Sequence, residues 1–243
     1  MASVQLAEEF EGVRLTPSLR STGSDRAVAV LQAYFAPVGQ GKDGFTGGAW
    51  DTFDPSGTRA ISPNIFTADD ILSSSLLSTP IDPRAALQLI LTRRPRFESL
   101  LEQIGPDLEF VRLESTEEGP FRAVRTLYRE LMTLPGIGET RATKLLARKR
   151  PLLVPIVDSV LVREVFRGRD QHWAPLHQAL RAHERALWNH LVDLRSRAGI
   201  PEAVSPLRVF DVLAWMDGTG NSDRVLEGEA ISTPDPSISD PKD

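Results

Sequence analysis

The stretch Leu134-Pro135-Gly136-Ile137-Gly138 joins two helical patterns through a very short turn. Upstream of it, Phe121, Val124, Leu127, Tyr128, Leu131 and Met132 recur at helical spacing, which predicts a helix over 121–133. Downstream, Ala142, Leu145 and Leu146 form an apolar stripe, while Arg141, Lys144 and Arg148 fall at i, i+3 and i+7 on another face. The glycines allow positive φ and close approach of another backbone. Unpaired N–H groups at the start of the second helix then favour an anion.

Beyond the turn, Asp158 lies twenty residues past Gly138 in the setting Pro155-Ile156-Val157-Asp158-Ser159. Hairpin and aspartate together resemble the L-P-G-[IV]-G hairpin and V-D-[ST] aspartate of the helix-hairpin-helix DNA glycosylase superfamily that includes endonuclease III. The resemblance implies an all-α, two-lobed fold with the hairpin at the lobe junction. It implies DNA as partner, gripped by its phosphate backbone through Gly136, Ile137, Gly138, Thr140, Arg141, Lys144 and Arg148. It also implies a monovalent cation held by hairpin carbonyls, and Asp158 as the carboxylate that stabilises charge developing on the sugar. Lyase-type members carry a lysine two residues after the second hairpin glycine; this chain has Thr140 there, which forms no imine. Any base excision is therefore expected to be monofunctional, with Asp158 aiding water attack on a flipped nucleotide. The stretch Lys144-Leu145-Leu146-Ala147-Arg148-Lys149-Arg150-Pro151 is similar to one shared by an uncharacterised actinobacterial family, which brings no activity with it.

Each of these residues also has a plainer reading. The glycines suit any tight turn between packed helices. Arg148, Lys149 and Arg150 complement the dipole at a helix C-terminus; Arg141, near the N-terminus, does not. Asp158 before an apolar helical pattern is a common N-cap, contributing about 1 kcal/mol. A non-catalytic nucleic-acid-binding module and a helical interaction scaffold with a structural hairpin therefore stand beside the glycosylase.

The 243 residues and 41% hydrophobic content suit one helical domain with tails. The chain has no cysteine, which excludes disulfides, thiolate metal sites and a cysteine-ligated iron–sulfur cluster. No resident cofactor is expected. No signal pattern and no long apolar run appear, so the expectation is a cytoplasmic protein with no membrane contact. The net charge of −5 divides unevenly, because residues 219–243 hold six carboxylates against two cations. The body is then close to neutral, with its cations concentrated around 141–150, and local patches decide phosphate binding.

Along the chain, residues 1–23 read as a flexible arm, 24–218 as the helical domain and 219–243 as a disordered acidic tail. Helices are expected over 25–35, from Thr67-Ala68-Asp69-Asp70, from Asp82-Pro83, over 95–104, from Asp158, from Asp170 through Leu194, and from Ser205-Pro206 to Gly218. Pro151 to Val157 reads as a buried connector. The long loop from Pro37 to Pro63 contains Gly39-Gln40-Gly41-Lys42-Asp43-Gly44, a formal G-x-G-x-x-G. It follows a helical pattern rather than a strand, so a dinucleotide site is not expected. Trp50 and Phe53 in this loop are the aromatics available to stack on a base, whereas Trp173, Trp188 and Trp215 read as core. His172, His177, His183 and His190 read as polar-face residues, since His183-Glu184 does not continue to H-E-x-x-H.

Overall fold

A computed structural model describes residue 6 and residues 8–38 and 44–229. Among the described residues ten α-helices follow a small β-hairpin: β1 (Glu9–Phe10), β2 (Val13–Arg14), α1 (Ser24–Tyr34), α2 (Ala68–Leu76), α3 (Pro83–Leu87), α4 (Arg94–Ile104), α5 (Gly119–Leu131), α6 (Glu139–Lys149), α7 (Ser159–Glu164), α8 (Trp173–Arg197), α9 (Pro206–Gly218) and α10 (Asn221–Glu227). A π-helical turn, Gln88–Thr92, links α3 to α4. The fold is mostly helical, as the periodicity predicts.

Local chemistry sets the helix starts. Thr67 and Asp70 form a capping box at α2, Asp82 caps α3 ahead of Pro83, and Ser205 caps α9 ahead of Pro206. At α7, Asp158 Oδ1 accepts from the Leu161 N–H at 2.9 Å. One continuous core runs through α1, α4–α6 and α7–α9, with Phe97, Phe110, Phe121, Phe166 and Phe210 among its fully buried side chains. A smaller cluster, Trp50, Ala147 and Ile156, sits where the loop after α1 meets α6.

Three expectations are corrected here. The N-terminal arm is part of the core: Val13, Leu15 and Leu19 are buried, Arg14 N–H donates to Val165 O, and Ser18 donates twice to the Asp217 carboxylate. The alternation Val13, Leu15 carried that signal. Residues 221–227, expected in a disordered tail, form α10, which packs on α1 and α9 and buries Asn221 and Ser222. The expected long helix from 170 starts at Trp173 and is broken at Ala182–Arg185, where His183, Glu184 and Arg185 adopt positive φ. Such a run is costly for residues with a Cβ. The G-x-G-x-x-G match, apart from Gly44, and residues 230–243 lie outside the described residues.

Candidate nucleic-acid interface and its buried ionic support

A short turn, 132–138, separates α5 from α6. Helix α5 ends at Leu131, Leu134 and Ile137 turn into the core, and Gly136 is exposed at φ +66°, with Asp82 beside it. A Cβ at Gly136 would have ordinary contact with Asp82, so the requirement there is conformational. Gly138 precedes α6 in extended conformation, and no side chain caps the first turn of that helix. The first-turn Thr140 side chain is buried, and Glu139 is half-buried, its Oε1 3.4 Å from the donating Tyr128 hydroxyl and 3.3 Å from His172 Nδ1.

The basic stripe is not a solvated face. Arg141 is half-buried and donates to Pro80 O at 3.2 Å. Lys144 is 7% exposed and donates to Leu77 O at 3.1 Å. Arg148 is 1% exposed; its Nε donates to Asp70 Oδ1 at 3.1 Å, its Nη1 to Trp50 O at 2.5 Å, and its Nη2 to Phe53 O. Lys149 reaches Asp70 Oδ2 at 2.8 Å, and Arg150 is satisfied by the carbonyls of Pro63, Leu101 and Gly105. The expectation that Lys144 and Arg148 face phosphate is therefore corrected. Helix α2 and the loop at 44–63 lie across α6 and supply the anion and the carbonyls that take up its cations.

Trp50 lies in the middle of this support, with Arg148 on one side at 5.8 Å and Arg208 at 5.3 Å from its ring centre. It is 1% exposed, so it is no platform for a base. Arg208 donates to Asp51 Oδ2 at 3.2 Å, to the Tyr34 hydroxyl at 2.7 Å, to Gly47 O at 3.2 Å and to Asp211. Burial pushes the Tyr34 hydroxyl up to about 12, against the opposing pull of Arg208. Burial also raises Asp51, and carries Asp211 up to about 6 although Arg208 stabilises its charge. Asp51 Oδ1 has no hydrogen-bond partner among the described residues, and Asp51 lines a cavity of about 10 Å³ with Trp50, Ser205 and Arg208, space for one water.

Asp158 sits at the edge of this network. It is half-buried, Oδ1 is fixed by Leu161, and Oδ2 makes no hydrogen bond among the described residues. Burial lowers the Lys144 amine, and the charge of Asp158 opposes that shift more than any other carboxylate. Helix α6 and the cap of α7 are tied together by Thr143, whose Oγ1 accepts from Val157 N–H and donates to Val157 O, both at 3.1 Å.

Sequence reasoning missed Tyr34, Asp51, Asp70 as an ion-pair partner, Arg208 and Asp211. One signal was present: Arg208 and Asp211 stand at i, i+3 in a helix that is apolar at all other positions from Pro206 to Met216, where unpaired charges are costly. Two of the four histidines also differ from expectation, whereas His183 is exposed as expected. His172 and His177 are buried, and His177 Nε2–H donates to Leu113 O at 3.0 Å. Among the described residues no group of three His, Cys, Asp or Glu is placed to hold a metal ion, and no helix is long and apolar enough to cross a membrane.

Residues 27–218 match the profile of a family of unknown function, DUF6308. The chain belongs to DUF6308. The matched span contains the hairpin, Asp158 and the whole Trp50 network, whereas the N-terminal β-hairpin and α10 of this DUF6308 protein lie outside it. No curated protein and no solved structure matches the chain.

Proposed function

We propose that this protein binds DNA, docking the hairpin corner on the phosphate backbone in a two-lobed, glycosylase-like arrangement. The observation that carries this reading is the exposed Gly136 corner ahead of the uncapped first turn of α6. Main-chain N–H groups and the helix dipole there favour a phosphate oxygen. The hairpin-to-Asp158 spacing supports the same reading. In this proposal Arg141 is the contact cation of α6, and Lys144 and Arg148 brace the helix from within. The test is fluorescence anisotropy of a labelled duplex over a range of salt. Salt-dependent binding weakened about tenfold by Arg141→Glu is expected. No affinity at low salt would leave a helical scaffold as the reading.

A second reading is favoured by the unbonded Oδ2 of Asp158: monofunctional removal of a base. A carboxylate held by one oxygen and free at the other suits stabilisation of an oxocarbenium-like transition state. Duplexes carrying uracil, oxidised, alkylated or mismatched bases test it by the appearance of abasic product. No product across the panel retires the catalytic reading and leaves the binding one standing.

A further inference from the structure

The cations that line the hairpin outside α6 lie on other elements. Arg93 Nη1 donates to the Thr133 hydroxyl at 2.9 Å, which sets the Arg93-Arg94-Pro95-Arg96 segment one residue from the start of the hairpin. Arg129 is exposed on the last turn of α5, five residues before Leu134. On the other side of the corner, Asp82 touches the Gly136 position, and Arg84 follows it with its side chain 78% exposed. Arg94 and Arg96 are about half exposed, at 48% and 50%.

The acids here do not balance these arginines. Glu130 alone serves both Arg93, at 2.5 Å, and Arg96, at 2.7 Å. Glu98 lies 4.0 Å from Arg94, and Asp82 lies 3.3 Å from Arg84. Glu139, the other carboxylate near the turn, is engaged by Tyr128 and His172. With Arg141, six arginines meet three carboxylates on this rim, in a chain whose net charge is −5. Exposed guanidinium groups sharing too few acids keep donors for planar, bidentate contact with a phosphodiester.

We infer that this arginine rim, Arg84, Arg93, Arg94, Arg96 and Arg129 around the hairpin, is the surface that tracks the phosphates of duplex DNA on either side of the corner. The inference rests on the DNA-binding reading above and assigns most of the electrostatic part of binding to α3–α5, beside Arg141 of α6. Arg84, Arg94 and Arg96 supply the most accessible charges, and Glu130 fixes Arg93 and Arg96 in position.

The test is a salt titration of duplex binding by wild type, by Arg94→Gln/Arg96→Gln and by Arg84→Gln/Arg129→Gln. The reference is Arg185→Gln/Arg197→Gln, two exposed arginines of α8. Each rim pair is expected to weaken binding about tenfold per arginine near 0.1 M salt and to flatten the log–log slope by about two. The α8 pair is expected to match wild type, and circular dichroism melts check that all variants stay folded. If both rim pairs bind like wild type while Arg141→Glu does not, the rim inference is overturned and the hairpin reading survives. If the α8 pair loses as much as the rim pairs, binding is diffuse and the rim inference fails. Absence of any wild-type binding removes both.

Discussion

Arg148 Nε lies 3.1 Å from Asp70 Oδ1, with both side chains 1% exposed, and Lys149 Nζ reaches the other oxygen of the same carboxylate at 2.8 Å. One acid therefore compensates two buried cations across 78 residues of chain. Removing the acid's charge leaves both cations desolvated and unpaired. Asp70→Asn, which keeps the shape, is expected to destabilise the protein by about 3–5 kcal/mol, read from urea unfolding. A loss below about 1 kcal/mol would show that water or other acids reach Arg148 and Lys149.

This pair also marks the limit of what the sequence discloses. Local chemistry was legible: Pro135 and the two glycines fix the turn, Asp158 caps α7 and Thr67 with Asp70 caps α2, each within a few residues. The fate of a helix face was not. Helical spacing groups Arg141, Lys144 and Arg148 on one side of α6, yet spacing says nothing of what stands opposite. Here it is a loop whose carbonyls are anchored by Gly47, Gly48 and Trp50 and an acid on α2. Cations that look like a solvated face can equally bind a buried loop, and only the tertiary partner decides. The Arg93–Arg96 segment was passed over because its relation to the hairpin depends on the packing of α4 against α5.

The loop seat depends on two glycines for different reasons. A Cβ at Gly47 would lie 2.1 Å from the Tyr34 hydroxyl, and one at Gly48 would lie 2.4 Å from the Tyr34 carbonyl oxygen. A side chain can yield; backbone inside α1 cannot. Both alanine variants are expected to lose about 1–3 kcal/mol by overpacking. Tyr34→Phe is expected to recover part of the Gly47→Ala loss and none of the Gly48→Ala loss, a coupling that a double-mutant cycle measures.

Asp107 gives the protein a contribution to stability that falls with rising pH, as the buried Asp51 and Asp211 also do. Burial pushes the Asp107 carboxyl up to about 6, although it accepts from Leu152 N–H and lies near Arg150. In the unfolded chain it releases its proton at about 3.9, so between pH 4 and 6 the folded protein holds a proton that the unfolded chain has lost. The stabilising contribution is complete below about pH 4 and is lost as pH rises through 6. Asp107→Asn removes this dependence. Its stability relative to wild type is expected to rise by about 1–2 kcal/mol from pH 4 to 7, allowing for partial solvent access. A flat difference across that range contradicts the assignment.

Asp158 has two roles open to it, and the two oxygens separate them. Oδ1 caps α7 through Leu161 N–H, while Oδ2 makes no hydrogen bond among the described residues. Asparagine preserves a cap acceptor and removes the charge; alanine removes both. As a cap alone, Asp158→Asn should hold wild-type stability and Asp158→Ala should lose about 1 kcal/mol. If the carboxylate also serves chemistry, Asp158→Asn should abolish abasic-site formation on whichever duplex wild type processes, with melting temperature and DNA affinity unchanged. An Asp158→Asn protein that still releases base at the wild-type rate would confine this residue to the helix cap, because a neutral amide cannot stabilise an oxocarbenium-like charge as a carboxylate does.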